Sequence, residues 1–159
     1  ALYYMARMID AGDDPLFVAR RMIIFAAEDV GLANPFAVVV ATAAYDAVHA
    51  VGLPEAMLNL TEAVIYLAGT RKNNSVLGAM RRARDLAQQT KNVDTPVQLK
   101  NSHAGQALYK YPHNFPGSWV AQEYFPDEVH DQAIYLPTGA GYERVIVGYL
   151  KSLRGKKPE

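Results

Sequence analysis

Apolar residues recur at three- and four-residue intervals through the first part of the chain, the period of helices buried on one face. Leu2, Met5, Met8 and Ile9 make the first such stripe, in a segment that runs from the start of the chain to Gly12. A second helical segment opens at Asp14-Pro15, a capping side chain followed by proline at the first helical position, and closes at Gly31. A third opens the same way at Asn34-Pro35 and closes at Gly52, and a fourth runs from Pro54-Glu55 to Gly69. A fifth, capped by Asn74 or Ser75, reaches Gln89 with Val76, Met80, Ala83 and Ala87 as its apolar stripe. Connections this short place consecutive helices side by side and roughly antiparallel.

The third segment differs from the others. From Phe36 to Ala44 it carries no charge and is rich in Ala and Val. A helix apolar all round is buried on every side, either at the centre of a core or between subunits, and Val39 and Val40 are its candidate assembly residues. Beyond Gln89 the texture changes. Residues 90–137 hold five of the nine prolines together with Tyr109, Tyr111, Phe115, Trp119, Tyr124, Phe125 and Tyr135. Proline at this density forbids a long helix, while so many aromatic rings need burial or a partner. The segment is expected to be an ordered irregular wrap over the helices, with a short turn of helix or strand near Trp119. Thr138 is expected to cap a last helix, with Tyr142, Val145, Tyr149 and Leu153 on one stripe. The fold class is therefore all-α: a helical core over 1–89, then the wrap and final helix over 90–159 in the same domain.

With 159 residues the chain suits one domain, able to bury about 70% of the surface its unfolded form exposes. The absence of cysteine excludes disulfides, thiolate metal sites and a cysteine nucleophile, and it fits a reducing compartment. No apolar run approaches the roughly 18 residues that span a bilayer, so no membrane partner is expected. Sixteen basic residues balance sixteen acidic ones. That zero is an average: residues 1–70 hold three basic and eight acidic residues, net −5, and residues 71–159 hold thirteen and eight, net +5. The chain opens on Ala1 inside a helical pattern with no cap before it, as expected of a piece cut from a larger protein.

Little in this pattern points to catalysis. No Gly-x-x-x-x-Gly-Lys-Ser/Thr loop occurs, and Gly139-Ala140-Gly141 reads as the start of a helix. His130 beside Asp127, Glu128 and Asp131 is an oxygen–nitrogen cluster, but it lies on a proline-broken segment without the helical spacing of ligand pairs. It is the basis of one alternative, an autonomous metal or acid–base enzyme. Glu28 and Asp29 sit in the last turn of the second helix, where the dipole favours cations, so they call for a compensating group. Arg20 and Arg21 are about two turns away along the same helix, which leaves an ion pair elsewhere in the chain, the N-terminus of another helix, or a partner. Arg71, Lys72, Arg81, Arg82, Arg84, Lys91, Lys100 and Lys110 form the main basic constellation. Arg81 and Asp85 are spaced as an ion pair on one helix face. Of the others, Arg71, Lys72, Arg82, Lys100 and Lys110 are candidate DNA or partner contacts, together with Arg81 and with Tyr111, whose ring can stack on a base. A second alternative is a protein-docking module with a groove built around Trp119.

Several stretches, in order, resemble one family. They are Asp14-Pro15-Leu16-Phe17-Val18-Ala19-Arg20-Arg21-Met22, then Ala27-Glu28-Asp29-Val30-Gly31-Leu32-Ala33-Asn34-Pro35, Gly52-Leu53-Pro54-Glu55 and Ala63-Val64-Ile65-Tyr66-Leu67-Ala68. They continue with Pro96-Val97-Gln98-Leu99-Lys100-Asn101, Tyr109-Lys110-Tyr111-Pro112-His113, Trp119-Val120-Ala121-Gln122, Tyr124-Phe125-Pro126-Asp127-Glu128 and Gly141-Tyr142-Glu143. Together they resemble the C-terminal region of the replication-associated recombination protein A family, the maintenance-of-genome-stability AAA+ ATPases, related to the Werner-helicase-interacting ATPase. Lys72-Asn73-Asn74 stands where the family often has Lys-Ser-Asn, and region 101–108 is shorter than usual. A family helix that precedes the position of Ala1 is absent. The resemblance implies a helical oligomerisation domain similar to the clamp-loader collar, in a homotetrameric, DNA-dependent ATPase at stalled replication forks. It further implies ATP and Mg in an ATPase domain outside this chain, with no cofactor within it. Single-strand-binding protein is implied as a partner, and a bacterial, cytoplasmic, nucleoid-associated setting. No catalytic residue of the family falls on these positions.

Overall fold

The structure is a computed structural model that describes residues 1–129 and 132–154. It is all-α, with no strand among the described residues. The chain forms two compact units, Ala1–Ala79 with Tyr135–Val147, and Met80–Ile134 with Gly148–Glu159. Residues 135–147 belong to the first unit.

Four helices build most of the first unit: α1 (Leu2–Asp10), α2 (Pro15–Phe25), α3 (Phe36–Val51) and α4 (Ala56–Gly69). The caps read from the sequence are in place for two of them. Asp14 Oδ1 accepts from the Leu16 amide at 2.9 Å, and Asn34 Oδ1 accepts from the Phe36 amide at 3.2 Å. Met5, Val18, Met22, Leu60, Val64 and Leu67 form the bulky part of the core. Ala19, Ala37, Ala41, Ala44 and Ala63 fill the rest, and their small side chains let α2, α3 and α4 pack closely.

The second helix does not continue to Gly31 in α form. After Phe25 it widens into a π-helical turn, Ala26–Val30, followed by a 3-10 turn, Gly31–Ala33. The cause lies in what packs there. The Asn73 amide donates to the Asp29 carbonyl at 2.7 Å, and a Cβ on Gly31 would stand 2.6 Å from the Asn73 carbonyl oxygen. Gly31 also has φ +48°, so glycine is required twice over, by backbone conformation and by space. The first turns of α5 (Ser75–Gln89) and α7 (Glu143–Arg154) complete this unit.

In the second unit the proline-rich stretch is irregular, as expected, but it contains a helix that the periodicity did not reveal. This is α6 (His103–Leu108), capped by Ser102 Oγ on the Gly105 amide at 3.1 Å. Short 3-10 turns occur at Val97–Leu99, Pro112–Asn114 and Pro116–Ser118. Side chains hold the segment together: Gln98 Nε2 donates to the Glu123 carbonyl at 2.8 Å, and Arg82 Nε donates to the Ile134 carbonyl at 2.6 Å.

The last helix starts later than expected. Thr138 does not cap it, and Gly139-Ala140-Gly141 is not its first turn, since the helix begins at Glu143. Gly141 has φ +61° and lies against the Ala33 backbone, where a Cβ would overlap the carbonyl oxygen. The Tyr142 amide donates to that same Ala33 carbonyl at 2.9 Å.

The core makes a direct stability prediction. Leu60 is fully buried while Leu58, two residues earlier on α4, is 77% exposed. Leu60→Ala should lower the unfolding free energy in urea by about 2–5 kcal/mol. Leu58→Ala should change it by less than about 0.5 kcal/mol.

Candidate functional site

The residues singled out from the sequence fall into three groups by environment. Lys72, Arg82 and Lys100 are already engaged within the chain. Lys72 Nζ donates to the carbonyls of Leu67 at 2.7 Å and Thr70 at 2.5 Å, closing the C-terminus of α4, and it lies 5.4 Å from the centre of the Phe25 ring. A cation at a helix C-terminus is favoured by the dipole. Arg82 is bound to Ile134, as above, and Lys100 pairs with Asp94 at 3.0 Å. Lys72 and Arg82 are thus bound to backbone carbonyls, whereas Lys100 is held only by an exposed ion pair of small energetic weight.

Arg71, Arg81, Lys110 and Tyr111 form the second group. All four are exposed, and the three cations make no ion pair among the described residues. The Arg81–Asp85 pair suggested by their spacing is not formed. Arg71 belongs to the first unit, and Arg81, Lys110 and Tyr111 to the second. The Tyr111 ring lies 5.1 Å from that of His113, tilted by 50°.

The third group is Arg20, Arg21, Glu28, Asp29, Val39 and Val40. Arg20 pairs with Asp14 at 3.1 Å, with both side chains half exposed, a geometry of small energetic weight. Arg21 is exposed at the rim of a cavity of about 420 Å³ lined by Met5, Met8, Val18, Met22, Phe25 and Leu67. Glu28 and Asp29 are exposed, and neither meets a cation among the described residues. The ion pair expected for them is not made among the described residues, and it is the Asp29 carbonyl that is used. Val39 is exposed and Val40 half-buried; both line a cavity of about 190 Å³ with Phe36, Ala43, Asn59 and Glu62. Of the 127–131 cluster, Asp127 and Glu128 are exposed, while His130 and Asp131 lie outside the described residues. Among the described residues no group of three or more His, Asp or Glu side chains is arranged to hold a metal ion.

One charged residue that the sequence reasoning passed over is the best-defined polar centre of the first unit. Glu143 is fully buried, with no basic partner among the described residues. Its Oε1 accepts from Ser75 Oγ at 2.5 Å and Tyr135 Oη at 2.7 Å. Its Oε2 accepts from the Thr138 amide at 2.8 Å, Thr138 Oγ1 at 2.9 Å and the Gly139 amide at 2.7 Å. Burial alone pushes this carboxyl up. Hydrogen bonding from Ser75 and Tyr135, with Thr138 adding to it, outweighs burial and holds it at about 2. The side-chain nitrogen of Asn73 is buried without a hydrogen-bond partner, while Asn73 Oδ1 caps α5 by accepting from the Ser75 amide at 2.9 Å. Tyr135 is raised to about 12 by burial first and then by Glu143, so it stays a hydrogen-bond donor. With every lone pair directed at a fixed donor, this carboxylate ties three chain segments together and offers no open face for chemistry.

The sign of the pH dependence follows. A carboxylate lowered from 4.5 to about 2 contributes stability that is fully present above its unfolded value and is lost as pH falls. Unfolding free energy should therefore drop by about 2–3 kcal/mol between roughly pH 5 and pH 2. Glu143→Gln should be less stable at neutral pH by a similar amount and should lose most of that acid slope, both read by urea denaturation at stepped pH.

The family described as MgsA AAA+ ATPase C terminal matches residues 1–154. An uncharacterised AAA domain-containing protein of Mycobacterium tuberculosis is 45% identical, over 97% of this chain and 36% of its own length. Replication-associated recombination protein A of Escherichia coli K12 is 41% identical, over 92% of this chain and 34% of its own length. The ATPase WRNIP1 of Dictyostelium discoideum is 33% identical, over 84% of this chain and 16% of its own length. The chain thus spans about a third or less of these relatives. It belongs to the family of MgsA AAA+ ATPase C-terminal domains, the family its sequence resembles.

Proposed function

We propose that this chain is the subunit-assembly domain of a longer AAA+ ATPase that acts in replication-associated recombination, and that it carries no catalytic residue of its own. The observation that carries the reading is the outer face of α3 and α4. Phe36 and Val39 on α3 are 57% and 54% exposed, and Leu58 and Ile65 on α4 are 77% and 55% exposed. Between the two helices lies the cavity lined by Val39, Val40 and Ala43. Exposed apolar side chains grouped beside a cavity are the surface a protein–protein contact uses. A second copy supplies an identical apolar face, so a two-fold contact closes on itself.

The relatives' names support the wider setting. On this reading the longer protein is a tetramer that binds ATP and Mg in its ATPase domain. It works on DNA at replication forks in the bacterial cytoplasm, with single-strand-binding protein as a partner. A protein-docking role has one observation in its favour. A trough of about 280 Å³ in the second unit is lined by Leu86, Val93, Tyr124, Phe125, Val129 and Ile134. Trp119, half-buried, is not part of that lining.

Sedimentation velocity of the chain decides the assembly reading. The expected result is concentration-dependent association through the micromolar range. Val39→Glu should weaken it at least about tenfold, because a charge would be desolvated in the contact, while helical circular dichroism stays unchanged. A strict monomer at high micromolar concentration overturns the reading.

A further inference from the structure

Residues 109–115 of the second unit alternate ring-bearing and other side chains: Tyr109, Tyr111, His113 and Phe115, with Lys110, Pro112 and Asn114 between them. All four rings are exposed, in an ordered segment where burial is the norm for aromatics. The strap that carries them is stiff. Pro112 and Pro116 each open a 3-10 turn, and the Lys110 amide donates to Gln122 Oε1 at 2.7 Å. Presenting rings from a preformed strap lowers the ordering cost of binding.

Charge selects the kind of partner. No acidic residue occurs from Thr95 to Gln122, while Lys100, His103, Lys110 and His113 all lie in that stretch. Lys100 is paired with Asp94, but the Lys110 ammonium has no ion-pair partner among the described residues. Exposed rings with a free cation among them and no carboxylate suit a polyanion that also carries flat apolar faces. A single-stranded nucleic acid has both in regular alternation, whereas a duplex keeps its base faces stacked inside.

We propose that the 109–115 strap is a stacking platform for single-stranded DNA, with base faces on Tyr111 and its neighbouring rings and a phosphate on Lys110. The choice of DNA rests on the reading that the longer protein works at replication forks; the strap itself is independent of the assembly reading.

The test is fluorescence anisotropy of the full chain with short oligo(dT), oligo(rU) and a duplex of equal length at low salt. Oligo(dT) should bind and the duplex should bind more weakly. Tyr111→Ala should weaken oligo(dT) binding at least about fivefold, the lower end of what one stacked base supplies, and Tyr111→Trp should preserve it. Lys110→Gln should reduce the slope of log affinity against log salt by about 0.7, one single-strand phosphate contact. Unchanged affinity of Tyr111→Ala, a preference for duplex or oligo(rU), or no binding by the parent chain overturns the proposal. So does a Tyr111→Ala variant that changes the sedimentation coefficient, since the strap would then be a subunit contact. The same substitution in the longer ATPase separates the two readings. DNA binding that survives Tyr111→Ala sinks the strap alone, and an ATPase that binds no DNA sinks the reading beneath it.

Discussion

The first unit is organised around a buried carboxylate with no basic partner among the described residues. An ionised side chain removed from water is tolerated only when fixed donors replace its hydration, and Glu143 receives five such bonds. Each donor belongs to a segment that must be in place for the bond to exist. Ser75 sits at the start of α5, and Tyr135, Thr138 and Gly139 lie on the segment by which the chain returns to the unit after residue 134. The requirement reaches further through neighbours. Asn73 both caps α5 and bonds to Asp29, so the π turn after α2 is part of the same corner, and Tyr142 bonds to Ala33 beside it. The two close backbone approaches, at Gly31 and Gly141, admit only glycine. A single charge thus makes the position of α5, the shape of the α2–α3 connection and the start of α7 mutually dependent.

That dependence explains what could and could not be read from the chain. The α2–α4 segments were largely legible because local signals agreed: Asp14 and Asn34 cap, Pro15 and Pro35 follow, and Gly52 and Gly69 sit at the ends, whereas α2 leaves α form after Phe25 and α5 is capped by Asn73 and not by Asn74 or Ser75. Periodicity reports which face is apolar, and for these helices that is most of the answer. The α7 boundary was misread because Thr138 looks like a cap residue, yet its hydroxyl and amide serve Glu143 and not a helix end. α6 escaped because His103–Leu108 is too short for a repeating apolar stripe; its only local signal was Ser102. Glu143 escaped for a deeper reason. A lone glutamate between Tyr142 and Arg144 carries no mark of burial, and its donors come from residue 75 and from residues 135–139, a long-range coincidence that no local pattern encodes.

Charge counting along the sequence overstated the cationic surface in the same way. The second half carries the positive balance, but three of its prominent cations are used internally. Lys72 closes α4, Arg82 holds Ile134 and Lys100 faces Asp94. A basic side chain that satisfies backbone carbonyls has exchanged its water for fixed acceptors, and recruiting it to a phosphate would leave those carbonyls bare. The cations without ion pairs are fewer and more scattered than the sequence implies, and this shifts attention from net charge to local context. Lys110, flanked by exposed rings on a proline-stiffened strap, counts for more than the sum of charges around it.

The distribution of side-chain sizes on α3 carries the strongest physical argument about assembly. An amphipathic surface helix turns large apolar residues inward and polar ones outward. The first half of α3 does the reverse within an almost uniformly apolar sequence: Ala37, Ala41 and Ala44 face the core, and Phe36 and Val39 are left outside, while further along Val48 is buried. Small inward residues allow close approach to α2 and α4, so the inner face is complete without the larger ones. Phe36 meets the Tyr66 ring of α4 edge-on, with centroids 6.5 Å apart, yet 57% of it stays exposed, as does 54% of Val39. A polar residue in place of Val39 would serve α3 equally well in an isolated subunit. The exposed apolar area of both is accounted for when a second surface covers it, and the cavity beside Val39 and Val40 gives that surface a recess to fill.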